Sequence, residues 1–340
     1  MKAIALTRYL PIDDPESLVD MDLPDPPAPS GHDLLIRIEA VSVNPVDTKQ
    51  RAPKPQTEHP PRILGYDAAG VVEAVGDQAT LFKPGDEVYY AGDVTRPGSN
   101  AQLQLVDERI VGPKPVTLSF TEATALPLTA VTAWELLFQR MPYRFDQGSH
   151  GKHLLIIGAA GGVGSIAIQL ARLAGFAVIA TASRSQTSDW ARSLGANHVI
   201  DHRQPLLPQL QALGIKSVEA VLNLADTDQY WDAIGELIAP QGHVGLIVEP
   251  REALRIGDPY KAKCIGIHWE FMFARSRFKT ADMIEQHRIL KRIAELVDAG
   301  KLRSTLSQSL GSISAANLRQ AHQLLESGGV IGKLALSGWN

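Results

Sequence analysis

The stretch LLIIGAAGGVGSIAIQLARLAGFAVIATASR, residues 154 to 184, constrains this chain more than any other. It sets four glycines between an apolar run of strand length and a second segment with helical periodicity. In that segment Val163, Ile166, Ala167, Leu170, Ala171 and Ala174 recur on one face, and Gly175 suits the stop. FAVIATA then reads as a second buried strand. Strand, tight turn, helix and strand within about 30 residues is the unit of a doubly wound parallel sheet. Gly158, Gly161 and Gly164 stand at intervals of three, where the commonest dinucleotide fingerprint is G-x-G-x-x-G. Lacking Cβ atoms, they permit the turn and the close approach of backbone to a pyrophosphate. The helix start adds unpaired N–H groups and a favourable dipole. Gly158, Gly161, Gly162, Val163 and Gly164 are therefore the expected phosphate-binding residues.

The end of the second strand selects the dinucleotide. NAD-binding units place Asp or Glu there to accept from the ribose 2′-hydroxyl. This chain has Thr181-Ala182-Ser183-Arg184 and no carboxylate. A hydroxyl and a guanidinium bind a 2′-phosphate by charge-assisted hydrogen bonds, so the expected cofactor is NADP(H). His202 and Arg203, just past the HVID run, either close over the same phosphate or are ordinary surface groups. Asn223 and Val248 end two further strand-like runs, AVLNLA and HVGLIV. They are expected to line the nicotinamide half, because ligands bind beyond the carboxyl ends of such strands.

The rest of the chain divides by texture. Fifteen of the 22 prolines precede residue 120. Proline fixes φ and lacks a donor, so this region should consist of short strands and loops: LLIRIEAVSV, AAGVVEAVG, DEVYYAG and AQLQLVDERI. Beyond it, apolar runs alternate with helical ones, and DMIEQHRILKRIAELVDAG reads as an amphipathic helix. With 44% hydrophobic and 21% charged residues, the composition is that of a globular protein of about two domains. A net charge of −4 offers no basic field for nucleic acid or anionic membrane. Cys264 is the single cysteine, so no internal disulfide can form, and a reducing, cytoplasmic setting is expected. The N-terminus does not read as a signal peptide, and no apolar run approaches the roughly 20 residues of a membrane span.

Several motifs in order resemble the medium-chain dehydrogenase/reductase superfamily, and within it the zinc-free, quinone oxidoreductase-like members. They are MKAI, SVNPVDTKQR, ILGYDAAGVVEAVG, FKPGDEVY, ALPLTAVTAWELL, GAAGGVG, LGANHVIDH and GKLALSG, spread over nearly the whole chain. The resemblance implies an α/β protein of two domains. A GroES-like β-barrel catalytic domain over residues 1–122 would be completed by 273–340, and a Rossmann NADP-binding domain would span 123–272, with the nicotinamide entering between them. Zinc-using relatives carry a cysteine, a G-H-E histidine and a later cysteine or aspartate. Here those positions hold Asn44, Tyr66 and the segment around Pro127–Thr129, and one cysteine cannot build a four-cysteine lobe. No metal is expected.

Without a strong Lewis acid, the expected reaction is hydride transfer from NADPH to an already electrophilic quinone or α,β-unsaturated carbonyl. The resemblance implies further roles. Asn44 would bond the nicotinamide ribose or the substrate carbonyl, unless it is simply a turn asparagine. Tyr66 would polarise or protonate, unless it is a buried tyrosine with a satisfied hydroxyl. Asp47 would orient its neighbours or do nothing. Thr129 would contact the cofactor, Phe271 and Phe273 would wall the pocket or be plain inter-domain core, and Lys333 would reach the cofactor phosphates or stand solvated. The strand KCIGIHWE is expected at a sheet edge, and the resemblance implies that it pairs across a two-fold in a homodimer. Two rival readings are a zinc-dependent alcohol dehydrogenase and a non-catalytic NADPH-binding protein.

Overall fold

The computed structural model describes residues 1–146 and 148–339. Two compact units emerge, Met1–Val131 with Phe273–Asn340 and Thr132–Met272. They make up the α/β class expected, a β-rich unit and a parallel-sheet unit.

The first unit is built on the strand Asp33–Ser42, whose alternate residues Leu34, Ile36, Ile38 and Ala40 are fully buried, the period of a pleated strand with one face on a core. It pairs antiparallel with Asp67–Val75 on one side and, near its two ends, with Leu103–Asp107 and Lys333–Ser337 on the other. Glu87–Tyr90, Val111–Pro113 and Leu306–Ser309 extend the same sheet. The register of the terminal strand brings distant residues together. Ala335 stands opposite Ser42, so Lys333, two residues earlier, falls just past the end of its partner, beside Val43 and Asn44. A three-stranded sheet of Val19–Asp22, Lys2–Tyr9 and Lys54–Ile63 completes the unit. The sequence signals did not mark Lys54–Ile63 as a strand. It carries Pro55, Pro60 and Pro61, and it is tolerated because it lies at the sheet's edge, where missing donors leave no ladder bond unmade.

The second unit holds a parallel sheet whose strands run, from edge to edge, His198–Ile200, Ala177–Thr181, His153–Ile157, Val218–Asn223, Ile238–Leu246 and Gly266–Trp269. Leu154 to Ile157 are at most 1% exposed, which explains why they read as a continuous apolar run. From the His153–Ile157 strand the chain winds outward to one edge, then returns to Val218–Asn223 on the other side. That reversal is the topological switch point, and Gly158 is the first residue beyond the strand where it occurs. Gly266–Trp269 lies at the opposite edge, as the sequence led us to expect.

Candidate functional site

The glycine turn joins the strand His153–Ile157 to the helix Gly162–Leu173 in the parallel-sheet unit. Gly158 has φ +81°, the left-handed region that disfavours other residues. Its N–H donates to Thr181 Oγ1 at 3.2 Å, tying the turn to the end of the neighbouring strand. The helix Gly162–Leu173 starts at once, so the Gly162, Val163 and Gly164 amides have no acceptor within it. A Cβ on Gly164 would lie 2.5 Å from Gly158 O and 2.6 Å from Ala159 Cα, whereas one on Gly161 would meet nothing nearer than 3.5 Å. Gly164 is thus a packing glycine, and Gly161 stands open to whatever occupies the turn. Bare backbone at a helix start, beside the switch point, fits a dinucleotide pyrophosphate.

Beyond Thr181, Ser183 is half-buried, and Arg184 is exposed at the N-cap position of the helix Ser185–Ser193. Arg203 proves to be committed. Its Nη2 and Nε meet Asp201 Oδ2 and Oδ1 at 2.7 and 3.0 Å, and this partner holds the half-buried Asp201 carboxyl down at about 2. The signal was in the sequence, since D-H-R puts the carboxylate two residues before the arginine. His202 lies between them, half-buried. Asn223 is fully buried and braces its own turn, Nδ2 donating to Asp226 O and Oδ1 accepting from Ala225 N. The Val248 carbonyl accepts from Thr227 Oγ1 at 2.5 Å. Phe271 is 45% exposed.

The β-rich unit holds a polar cluster of its own. Asn44 precedes the short helix Pro45–Arg51, whose start is fixed by proline at its first position. Asn44 Nδ2 donates to Asp67 Oδ2 at 2.7 Å, and its Oδ1 accepts from Lys333 Nζ at 2.6 Å. Lys333 Nζ also donates to Asp67 Oδ2 and to Val43 O, both at 2.8 Å. The Leu128 amide donates to Asp67 Oδ1 at 2.7 Å. Lys333 is therefore in neither of its two expected situations. It is 4% exposed, and three buried acceptors take its protons. Asp67, which the sequence reading passed over, is the hub. A carboxylate opening the apolar run AAGVV was the signal that could have found it.

Asp47, in the same helix, accepts from the Asn44 amide through Oδ2 at 2.8 Å. Burial raises its carboxyl to about 7, against lowering by the Asn44 amide and the Lys333 charge. Tyr66 is 2% exposed, and its ring meets Phe273 edge-on, with centroids 5.2 Å apart. Burial, then the Asp47 charge, raises its phenol well above 10, while a hydrogen bond from Arg62 works the other way. Arg62, also missed from sequence, donates to Tyr9 Oη and Gln50 Oε1 at 2.8 Å. Thr129 Oγ1 donates back into its own helix, to Leu126 O at 3.0 Å.

A second buried acidic cluster stands in the parallel-sheet unit. Glu270 follows its edge strand and Glu135 ends the helix Pro127–Glu135, and both side chains are wholly buried. Arg140 serves both, Nε to Glu270 Oε2 at 2.8 Å and Nη2 to Glu135 Oε2 at 2.7 Å. One guanidinium cannot neutralise two buried carboxylates. Burial first, and the Glu135 charge second, raise Glu270 far above the carboxylate range, so it keeps a proton at neutral pH. Its folded pKa exceeds its unfolded one, so its contribution to stability is complete below about 4.3 and is lost as pH rises toward about 9. Glu270→Gln keeps the shape without the proton. Between pH 6 and 9 its melting temperature should fall less than that of the native protein, by roughly 3 °C. Parallel melting curves would show that Glu270 holds no proton at neutral pH.

A glycine-rich turn that opens a helix in a parallel sheet, in one chain with a β-rich unit, is the architecture of the medium-chain dehydrogenase/reductase class of oxidoreductases. The comparisons with known proteins agree. A profile described as alcohol dehydrogenase GroES-like domain matches residues 30–127, and one described as zinc-binding dehydrogenase matches 194–336. A zinc-type alcohol dehydrogenase-like protein of Staphylococcus aureus strain MSSA476 is 44% identical over 312 residues, 92% of each chain. The 2-methylene-furan-3-one reductase of Solanum lycopersicum is 40% identical over 213 residues, covering 59% of this chain and 52% of that protein. A crystal structure from Rhizobium etli CFN 42, provisionally assigned as a zinc-dependent alcohol dehydrogenase, superposes with a TM-score of 0.94 at 50% identity. It covers 100% of this chain and 98% of that one. A quinone oxidoreductase of Pseudomonas syringae pv. tomato DC3000 gives a TM-score of 0.81 at 27% identity, over 99% of each chain. The chain belongs to the zinc-type alcohol dehydrogenase-like family of the medium-chain dehydrogenases/reductases.

The zinc in that family name does not fit the donors present. Asn44 and Tyr66 supply an amide and a phenol, and the Asp67 carboxylate is already bound to an ammonium. Among the described residues, no group of three or more His, Cys, Asp or Glu is placed to hold a metal ion.

Proposed function

We propose that the protein is an NADPH-dependent reductase of quinones or α,β-unsaturated carbonyls that works without catalytic zinc. The observation that carries this reading is the Asn44–Asp67–Lys333 cluster, which offers hydrogen bonds and a fixed charge where a metal-using enzyme needs metal donors. Such a site polarises an acceptor only modestly, so the acceptor must already be electrophilic. Relatives named as a quinone oxidoreductase and a furanone reductase support that substrate class. Reduced nicotinamide, when bound, supplies the hydride. Gly158, Gly161, Gly162, Val163 and Gly164 would hold its pyrophosphate, and Ser183 and Arg184 its 2′-phosphate. His202, Asn223, Val248, Thr129 and Phe271 are secondary candidates for cofactor contact.

Asn44 donates to the carbonyl oxygen that gains charge. Tyr66 delivers the proton that completes the quinol or the saturated ketone, and its phenol stays protonated at working pH. Asp47 holds a proton close to neutrality and orients the Asn44 backbone.

The test is oxidation of NADPH and NADH with ortho-quinones, para-quinones, alkenals and simple aldehydes, with and without chelator. Turnover of quinones or enones that prefers NADPH and ignores chelator is expected. Arg184→Ala should raise KM for NADPH about tenfold or more and leave NADH unaffected. Turnover of simple aldehydes alone, abolished by chelator, overturns the reading. Tight binding with no turnover replaces it with a binding protein.

The same proposal includes a homodimer through the edge strand Gly266–Trp269, where Trp269 is 46% exposed. Light scattering that gives a single 36.8 kDa subunit would exclude it.

A further inference from the structure

Lys333 lies 289 residues from Asn44, yet the antiparallel register of the last strand brings its ammonium onto the Asn44 amide. The three side chains close a ring. Lys333 Nζ donates to Asn44 Oδ1, Asn44 Nδ2 donates to Asp67 Oδ2, and that same oxygen accepts from Lys333 Nζ. Lys333, Asn44 and Asp67 are all buried, at 4%, 1% and 0% exposure. The ring removes the usual ambiguity of an asparagine side chain. An ammonium only donates and a carboxylate only accepts, so a flipped amide would set N–H against N–H and oxygen against oxygen. It also has an electronic consequence. A full positive charge at 2.6 Å on Oδ1 draws density from the amide, which strengthens its N–H groups as donors. One Nδ2–H is used by Asp67, and an amide nitrogen carries two.

We propose that Lys333, with Asp67 as its counter-ion, is a positioning residue for Asn44. It fixes and polarises the amide so that the second Nδ2–H donates to the carbonyl oxygen that gains charge. The proposal rests on the reading of Asn44 as the donor to a reducible carbonyl. It makes the C-terminal strand part of the reaction machinery, a role different from holding cofactor phosphate.

Removing Lys333 alone would strand a buried carboxylate, so the informative change removes both charges together. We would compare the native protein, Asn44→Ala, the pair Lys333→Met with Asp67→Asn, and the triple variant. Circular dichroism would establish that each is folded. kcat would be measured with a para-benzoquinone, a strong acceptor, and with an enone, a weak one. Asn44→Ala should lower kcat for the enone about 10²-fold. The charge-pair variant should lower it roughly tenfold or more, with a smaller loss for the quinone, which needs less polarisation. In the Asn44→Ala background the same charge-pair change should cost nothing further, because its effect passes through the amide. A loss of kcat that is the same with and without Asn44, or equal for both acceptors, overturns the positioning role and assigns the ring to structure alone. Unchanged kcat in the charge-pair variant also overturns it. No turnover of either acceptor by the native protein overturns the reductase reading itself, and the role falls with it.

Discussion

Gly164→Ala is expected to lower NADPH affinity at least 100-fold while leaving the β-rich unit folded. The added methyl carbon would sit 2.5 Å from Gly158 O and 2.6 Å from both Ala159 Cα and Ala159 O. These are backbone atoms of the turn itself, so no side chain can swing aside to relieve the clash. The helix start must move away from the strand end, and the amides of Gly162 and Val163 move with it. Anion binding by a helix terminus depends on those amides converging on one point. Gly161→Ala is the control. Its Cβ meets nothing closer than 3.5 Å, and its backbone, φ −74° and ψ 177°, is ordinary extended chain. The protein itself should therefore accept it without loss of melting temperature. Any weakening of NADPH binding by Gly161→Ala then reports a phosphate passing over that residue. Fluorescence titration with NADPH, paired with thermal melting, separates the two cases. Native affinity in Gly164→Ala would show that the turn is not the phosphate site.

The second large effect concerns stability. Asp67→Ala should destabilise the β-rich unit by about 3–5 kcal/mol, because it leaves the Lys333 ammonium buried without a counter-ion. It also strips acceptors from Asn44 Nδ2 and from the Leu128 amide. The paired change of Lys333→Met with Asp67→Asn removes the charge instead of orphaning it, and should melt well above Asp67→Ala. Denaturation monitored by circular dichroism measures the difference. Equal melting of Asp67→Ala and the native protein would mean that water already reaches the ammonium.

Much of the fold could be read along the chain because its determinants are local. Apolar runs of strand length, proline density and glycine spacing act within a few residues of one another. The glycine turn belongs to this group, since a strand, a turn and a helix are contiguous. So does the mismatch to zinc, which is a matter of residue type at Asn44 and Tyr66. The pairing of Arg203 with Asp201 was equally local, only two residues apart, where the sequence had left Arg203 open between a phosphate and an ordinary surface role.

The buried clusters could not be read this way. Glu135 and Glu270 share Arg140 only because an edge strand ends beside a helix terminus, and the long chain between them carries no mark of it. Lys333 in GKLALS looks like any solvated lysine before a strand. Its burial follows from which strand it pairs with and in what register, and a shift of one residue would turn the side chain to the opposite face. The sequence by itself therefore determined the parallel-sheet unit, its glycine turn and the unsuitability of the site for zinc, through short-range chemistry. Only the tertiary structure decided that Asp67 and Lys333 surround Asn44, because side-chain partners across a sheet are chosen by strand pairing between distant segments.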